Sequence, residues 1–210
     1  MDLAIVLLSV FGVFIPALVL PGPDFVAVAR SSIMRGTRAG LLTTCGVSLG
    51  LGFYATLSLV GLSALLVEYQ WLTWIVRALG GSYLVYLGIR LMLSRPAIIE
   101  CDGDADPRRT NAVLFGFLVT LTNPKAIVLF ASVFATAVTP ETPTALLVAM
   151  IMLVMMASFI WYSLVALFMS SSHVSARLQR VRHWVERTAG LCFVLIGGKV
   201  LADARNPVAP

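Results

Sequence analysis

Charge is what this 210-residue chain has least of. Only 12% of its residues are Asp, Glu, Lys or Arg, about half the share of an average soluble domain. So few charges cannot cover the surface of a water-soluble globule, and that class is excluded. Histidine is almost missing too: His173 and His183 fall together in one basic stretch, far from any set of soft-metal ligands. Cys45, Cys101 and Cys192 are odd in number and scattered, which supports neither a disulfide framework nor a metal cluster. No metal site and no cofactor are expected. The first apolar run lacks a basic region before it and a small-residue cleavage site after it, so it reads as a retained span. The net charge of +5 sits on arginines confined to short loops and helix ends, without interleaved aromatics, which argues against a nucleic-acid partner.

What the chain has in abundance is apolar sequence, 59% of the total at a mean hydropathy of +0.94. About 20 apolar residues in a helix cross the hydrocarbon core of a bilayer. Six runs qualify: Leu3–Leu20 continuing to Arg30, Leu41–Val67, Trp71–Leu93, Ala112–Val138, Ala145–Met169 and Trp184–Ala204. Arg77 and Arg90 lie near enough to the ends of the third run to snorkel. The connections alternate in basic content. Arg30, Arg35 and Arg38 follow the first span, Arg90, Arg95, Arg108 and Arg109 the third, and Arg177, Arg180, Arg182 and Arg187 the fifth. The other two connections carry only Glu68 and Glu141. Basic loops stay inside, so these three face the cytoplasm and both termini lie outside.

Two of the runs break at a proline followed at once by a charge, and the charges are opposite. The first break is Pro21-Gly22-Pro23-Asp24 and the second Asn123-Pro124-Lys125. An intramembrane charge costs roughly 2.5–3.5 kcal/mol on insertion scales, so it is rarely idle. Proline removes a backbone donor and leaves carbonyls open to a ligand or an ion. Broken helices at corresponding places in two halves point to a transporter's binding site. A shift of 101 superimposes Pro23 on Pro124 and Asp24 on Lys125, and a shift of 110 superimposes Arg77, Gly80, Gly88 and Leu91 on Arg187, Gly190, Gly198 and Leu201. Three spans per half is an odd number, so the halves must run upside down relative to each other. The expected fold is an all-α integral membrane domain of six transmembrane helices in two inverted three-helix repeats. Their bounds are 1–95 and 111–205, with a cytoplasmic loop between them.

The runs Pro21-Gly22-Pro23-Asp24-Phe25, Ala29-Arg30-Ser31 and Gly36-Thr37-Arg38-Ala39-Gly40-Leu41, then Gly46 and Gly50, resemble the LysE/RhtB family of amino-acid exporters. So do Leu79-Gly80-Gly81-Ser82-Tyr83-Leu84, Leu87-Gly88, Asn123-Pro124-Lys125-Ala126, Gly190 and Gly197-Gly198. The resemblance covers essentially the whole chain. It implies efflux of amino acids or their derivatives across a bacterial inner membrane by proton antiport. It does not choose between threonine, homoserine, leucine, lysine or another solute.

Each site residue has a structural reading beside the functional one. Asp24 takes the coupling proton or meets the substrate's amino group; alternatively it caps the helix resuming after Pro23. Lys125 is a partner for Asp24 or for a substrate carboxylate; alternatively it belongs to a fixed ion pair that specifies packing. Asn123 offers an amide to an amino-acid backbone or caps the second half-helix. Pro21, Gly22, Pro23 and Pro124 shape the site. Gly46-Val47-Ser48-Leu49-Gly50 matches the nucleophile-elbow pattern but lies in a charge-free helix, where Gly46 and Gly50 suit a close helix contact. Asp102, Asp104 and Asp106 begin like a calcium loop, but Pro107 and Val113 occupy positions that need Gly and Glu. Met150, Met152, Met155 and Met156 read as soft packing. The expected partners are a small-molecule substrate, protons and membrane lipid, with a homo-oligomer left open. The rival readings are efflux of a metal cation or other small solute, an intramembrane enzyme, and a passive scaffold.

Overall fold

The computed structural model describes residues 3–62, 68–93, 111–134, 142–169 and, with three single-residue gaps, 187–202. Cys101, the acidic stretch from Asp102 to Asp106, the basic connection with His173 and His183, and the start of the sixth run lie outside the described residues. Among those described, every element is helical and none is a strand. They are α1 (Leu3–Val19), α2 (Pro23–Arg35), α3 (Thr37–Thr56), α4 (Gln70–Leu93), α5 (Ala112–Leu121), α6 (Pro124–Leu129), α7 (Thr144–Met169) and α8 (Phe193–Ala202). A π-helical turn follows α3 at Leu57–Leu62, and another follows α6 at Phe130–Phe134.

Thr37–Gly61 and α7 are each long and apolar enough to cross a membrane. The α1–α2 pair, bent by 43° at Leu20-Pro21-Gly22, makes a third span if taken as one. On α7 the buried stripe Met150, Val154, Ser158, Tyr162 and Ala166 recurs every fourth residue, as one helix face should. Its opposite face is just as apolar: Met152, Met156, Phe159, Ile160 and Phe168 are all exposed. A helix in water puts polar groups there, so this face belongs against lipid.

The centre of the bundle is α3, and its glycines decide what lies beside it. A β-carbon at Gly46 would strike the Val113 carbonyl and one at Gly50 would meet Thr120, while Gly116 is pressed on the Thr43 carbonyl. These contacts seat α5 parallel to α3 with the two backbones touching. Gly40 faces Ala166 and Gly52 faces Met155, which sets α7 antiparallel to α3. The turn from α2 into α3 is made at Gly36, whose φ of +83° only glycine adopts without strain. A second glycine seam joins α4 to the last segment. Gly81 abuts the Gly197 carbonyl and Gly197 the Gly81 carbonyl; Gly88 and Gly190 do the same.

Candidate functional site

The first break begins with arithmetic of the helix ladder. In a continuing helix the Ala17 carbonyl would accept from the N–H four residues on, but that residue is Pro21, which has none. Leu20 N–H still bonds Pro16 O at 3.1 Å, and there α1 ends. The Lys125 ammonium fills the gap, donating to Ala17 O at 2.9 Å and Leu20 O at 3.0 Å. Its Nζ also lies 3.0 Å from where a β-carbon of Gly22 would stand, so a larger residue at 22 would crowd it. A cation at a helix C-terminus is favoured by the helix dipole. Lys125 itself stands in the first turn of α6, where its own helix disfavours it, so its position serves α1.

Asp24 completes the exchange from the other side. It is buried, 2% exposed, in the first turn of α2, where a negative charge is favoured. The N-cap position is Gly22, and no side chain caps it. The carboxylate instead crosses to the second break: Thr120 Oγ1 donates to Oδ1 at 3.0 Å and Asn123 Nδ2 to Oδ2 at 2.8 Å. Asn123, fully buried, uses both ends of its amide, since its Oδ1 accepts from Lys125 N at 3.0 Å and so caps α6. Each break therefore holds the charge of the other. Asp24 and Lys125 lie near enough to attract electrostatically, yet the carboxylate bonds to neutral donors and the ammonium to carbonyls.

The second break repeats the logic with other partners. Thr120 O would have bonded residue 124, again a proline, and takes Asn123 N–H at 3.0 Å instead. Leu121 O accepts from the Tyr54 hydroxyl at 2.7 Å. The Tyr54 ring stacks on Phe130 with centroids 6.0 Å apart, and Phe130 meets Phe14 edge-on at 6.1 Å. Tyr162, buried on α7, lies within electrostatic reach of Asp24.

The structure thus brings Asp24, Asn123 and Lys125 together, with Pro21, Gly22, Pro23 and Pro124 forming the bends around them. Thr120, Tyr54 and Tyr162 were not anticipated. A hydroxyl within an apolar run carries no signal of its own until the packing of α3, α5 and α7 around α2 puts it beside a charge.

A family model for the LysE type translocator matches residues 15–204. The chain is 28% identical over 194 residues to the threonine efflux protein of Escherichia coli (strain K12), covering 90% of this chain and 94% of that one. It is 27% identical over 213 residues to an uncharacterized membrane protein of Haemophilus influenzae, covering 99% of both. Against the leucine efflux protein of Salmonella choleraesuis it is 35% identical over 121 residues, 55% of each chain. No solved structure matches. Translocators are transporters and not enzymes, which sets aside the intramembrane catalyst. With both breaks inside a match that spans most of its length, the chain belongs to the LysE type translocator family.

Proposed function

We propose that this protein exports amino acids or their derivatives across a bacterial inner membrane in exchange for protons, with the site between the two breaks. The observation that carries this is the crossing of opposite charges: a buried carboxylate on neutral donors beside an ammonium held by backbone carbonyls. A zwitterion presents the complementary pair. Its ammonium suits Asp24, its carboxylate suits Lys125, and Asn123 offers an amide to either end. Lys125 can exchange two carbonyls for a substrate carboxylate, a stronger charge-assisted contact. Asp24 accepts a proton or the substrate ammonium but not both, and that competition is the chemical basis of antiport. The relatives named for threonine and leucine efflux support the substrate class.

The architecture that suits this role is six spans in two inverted repeats within a single domain of residues 1–210, with the basic connections cytoplasmic and both termini outside. Three directions along the bundle support it. α3 and α5 run parallel while α7 runs antiparallel to α3, as second, fourth and fifth spans must. The glycine seam favours a repeat offset of 109 over the 110 read from sequence, since 81 then maps to 190 and 88 to 197. Alternating access would rock one broken helix against the other.

The test is efflux of labelled amino acids from preloaded proteoliposomes, with and without an imposed pH gradient, for wild type and Asp24→Asn. Gradient-driven movement of one amino-acid class, lost in the variant, is expected. Coupling that survives Asp24→Asn refutes the proton role, and no movement of any amino acid by folded protein refutes the substrate class.

A further inference from the structure

Below Asp24, towards the Arg35–Arg38 turn, the interior becomes a column of hydroxyls. Ser31, Ser32, Thr43, Thr44, Ser48 and Ser158 are all buried, 5% exposed or less; the other buried polar side chains among the described residues are Asp24, Thr120 and Asn123 at the breaks and Ser58 in the turn after α3. Two helix faces explain the alignment. Asp24, Val28, Ser31 and Arg35 fall on one stripe of α2, and Gly40, Thr44 and Ser48 fall on one stripe of α3. Cross-helix contacts set the levels. Ser32 lies against Gly40, and Thr43 Oγ1 bonds Ser31 Oγ at 2.9 Å. The anchors Gly40–Ala166 and Gly52–Met155 bring Thr44 level with Tyr162 and Ser48 level with Ser158. Thr120, which bonds Asp24, meets α3 at Gly50, two residues or about half a turn beyond Ser48.

Among the described residues, Ser32 Oγ, Thr44 Oγ1 and Ser48 Oγ find no hydrogen-bond partner. A buried hydroxyl without a partner costs free energy, and polar interiors of this kind hold bridging water. The opposite side of Asp24 has a different character. There Phe11, Phe14, Phe130 and the ring of Tyr54 pack edge-on or stacked, with Phe14 and Phe130 buried to 1% or less. Among the described residues, the charged or titratable side chains that face Asp24 are Lys125 from α6, Tyr54 from α3 and Tyr162 from α7. α5 supplies Thr120, and α1 supplies carbonyls to Lys125.

We infer that Ser32, Thr44 and Ser48, with Ser31, Thr43 and Tyr162, line a file of water that passes protons between the Arg35–Arg38 turn and Asp24. The aromatic side is closed to it. From Asp24 to Arg35 the file is about 16 Å long, at 1.5 Å per helical residue. Each relay step makes one O–H bond as it breaks another, so the hydroxyls end unchanged and the proton arrives on an Asp24 oxygen. The proton's role rests on the exchange proposed above; the hydration does not, and it can be measured without transport.

The experiment uses the full chain with Cys45, Cys101 and Cys192 replaced by alanine, carrying Ser32→Cys, Thr44→Cys, Ser48→Cys, Phe14→Cys or Arg38→Cys singly. Sealed vesicles of each orientation are treated with Ag+, a thiol reagent small enough to follow water, and thiols left unreacted are then counted by alkylation in detergent. The three column positions should be protected from the same side as Arg38→Cys, and Phe14→Cys should not be. Protection that stops at Ser32→Cys, or that comes equally from both sides, overturns the file. So does equal protection of Phe14→Cys. In proteoliposomes, Thr44→Val with Ser48→Ala should slow gradient-driven efflux at least tenfold while leaving gradient-free substrate exchange within twofold of wild type. Equal loss of both rates reduces the hydroxyls to packing and overturns the proton path.

Discussion

Replacing Lys125 by methionine keeps the apolar stem of the side chain but ends one atom short of the ammonium and removes its donors, leaving the Ala17 and Leu20 carbonyls open in an apolar interior. Each orphaned carbonyl costs about 1–3 kcal/mol. Part of that is offset because an ammonium no longer has to be held away from water. The expected loss is about 2–4 kcal/mol. The reason the Ala17 carbonyl needs Lys125 at all is the missing N–H of Pro21, which makes a specific second substitution informative. Pro21→Ala alone restores a donor to a carbonyl already occupied and loosens the chain, costing about 0.5–1 kcal/mol. In the Lys125→Met background the same change gives the Ala17 carbonyl its partner back and should recover about 1 kcal/mol. The coupling is therefore about 1.5–2 kcal/mol in favour of the double variant, measured by reversible detergent unfolding of the four proteins followed by circular dichroism. Additivity to within about 0.5 kcal/mol would refute the capping account of Lys125.

Other expectations follow from the same contacts. Tyr54→Phe keeps the stack on Phe130 but frees the Leu121 carbonyl, and should lower unfolding stability by about 1 kcal/mol. Gly46→Ala drives a methyl into the Val113 carbonyl and should cost about 1–3 kcal/mol, whereas Gly12→Ala, with open space around it, should be neutral or gain about 0.5–1 kcal/mol in the same assay. Asp24→Asn should leave stability within about 1 kcal/mol of wild type, because the amide can accept from Asn123 and donate to Thr120, whose hydroxyl then turns to the Gly116 carbonyl at 3.1 Å. A fall of several kcal/mol in that variant would make the carboxylate a structural necessity.

Much of the candidate site is legible in the sequence. A charge beside a proline within an apolar run is costly enough to stand out, and both breaks did. Gly46 and Gly50 were read as a helix contact because small residues four apart leave a groove, and α5 fills it. What Lys125 bonds was not read, although the rule that links Ala17 to residue 21 contains the answer: a proline there leaves a carbonyl wanting a donor. From sequence Asp24 reads as a cap for α2, but it lies one residue inside the proline that opens the helix, where its side chain is turned towards α5. For Asn123 the sequence supports either a ligand role or a capping role. Its two amide ends let it cap α6 and bond Asp24 at once. On the repeat proposed above, an offset of 109 in place of 110 brings the glycines of the seam into register. One residue turns a helix by about 100°, which apolar sequence tolerates and backbone contact does not.

On the inverted-repeat architecture proposed above, that seam carries a history. Contacts between Gly81 and Gly197 and between Gly88 and Gly190 exchange with one another when the two helices trade places, the signature of an isologous interface in a twofold dimer. If the halves descend from one sequence, the seam is the inherited meeting surface of two separate three-helix proteins that inserted in opposite senses and paired through their last helix. Fusion would then have added a connection without creating the contact. An ancestor of half this length would have needed both orientations in one membrane to assemble, and joining the genes would have relieved it of that requirement.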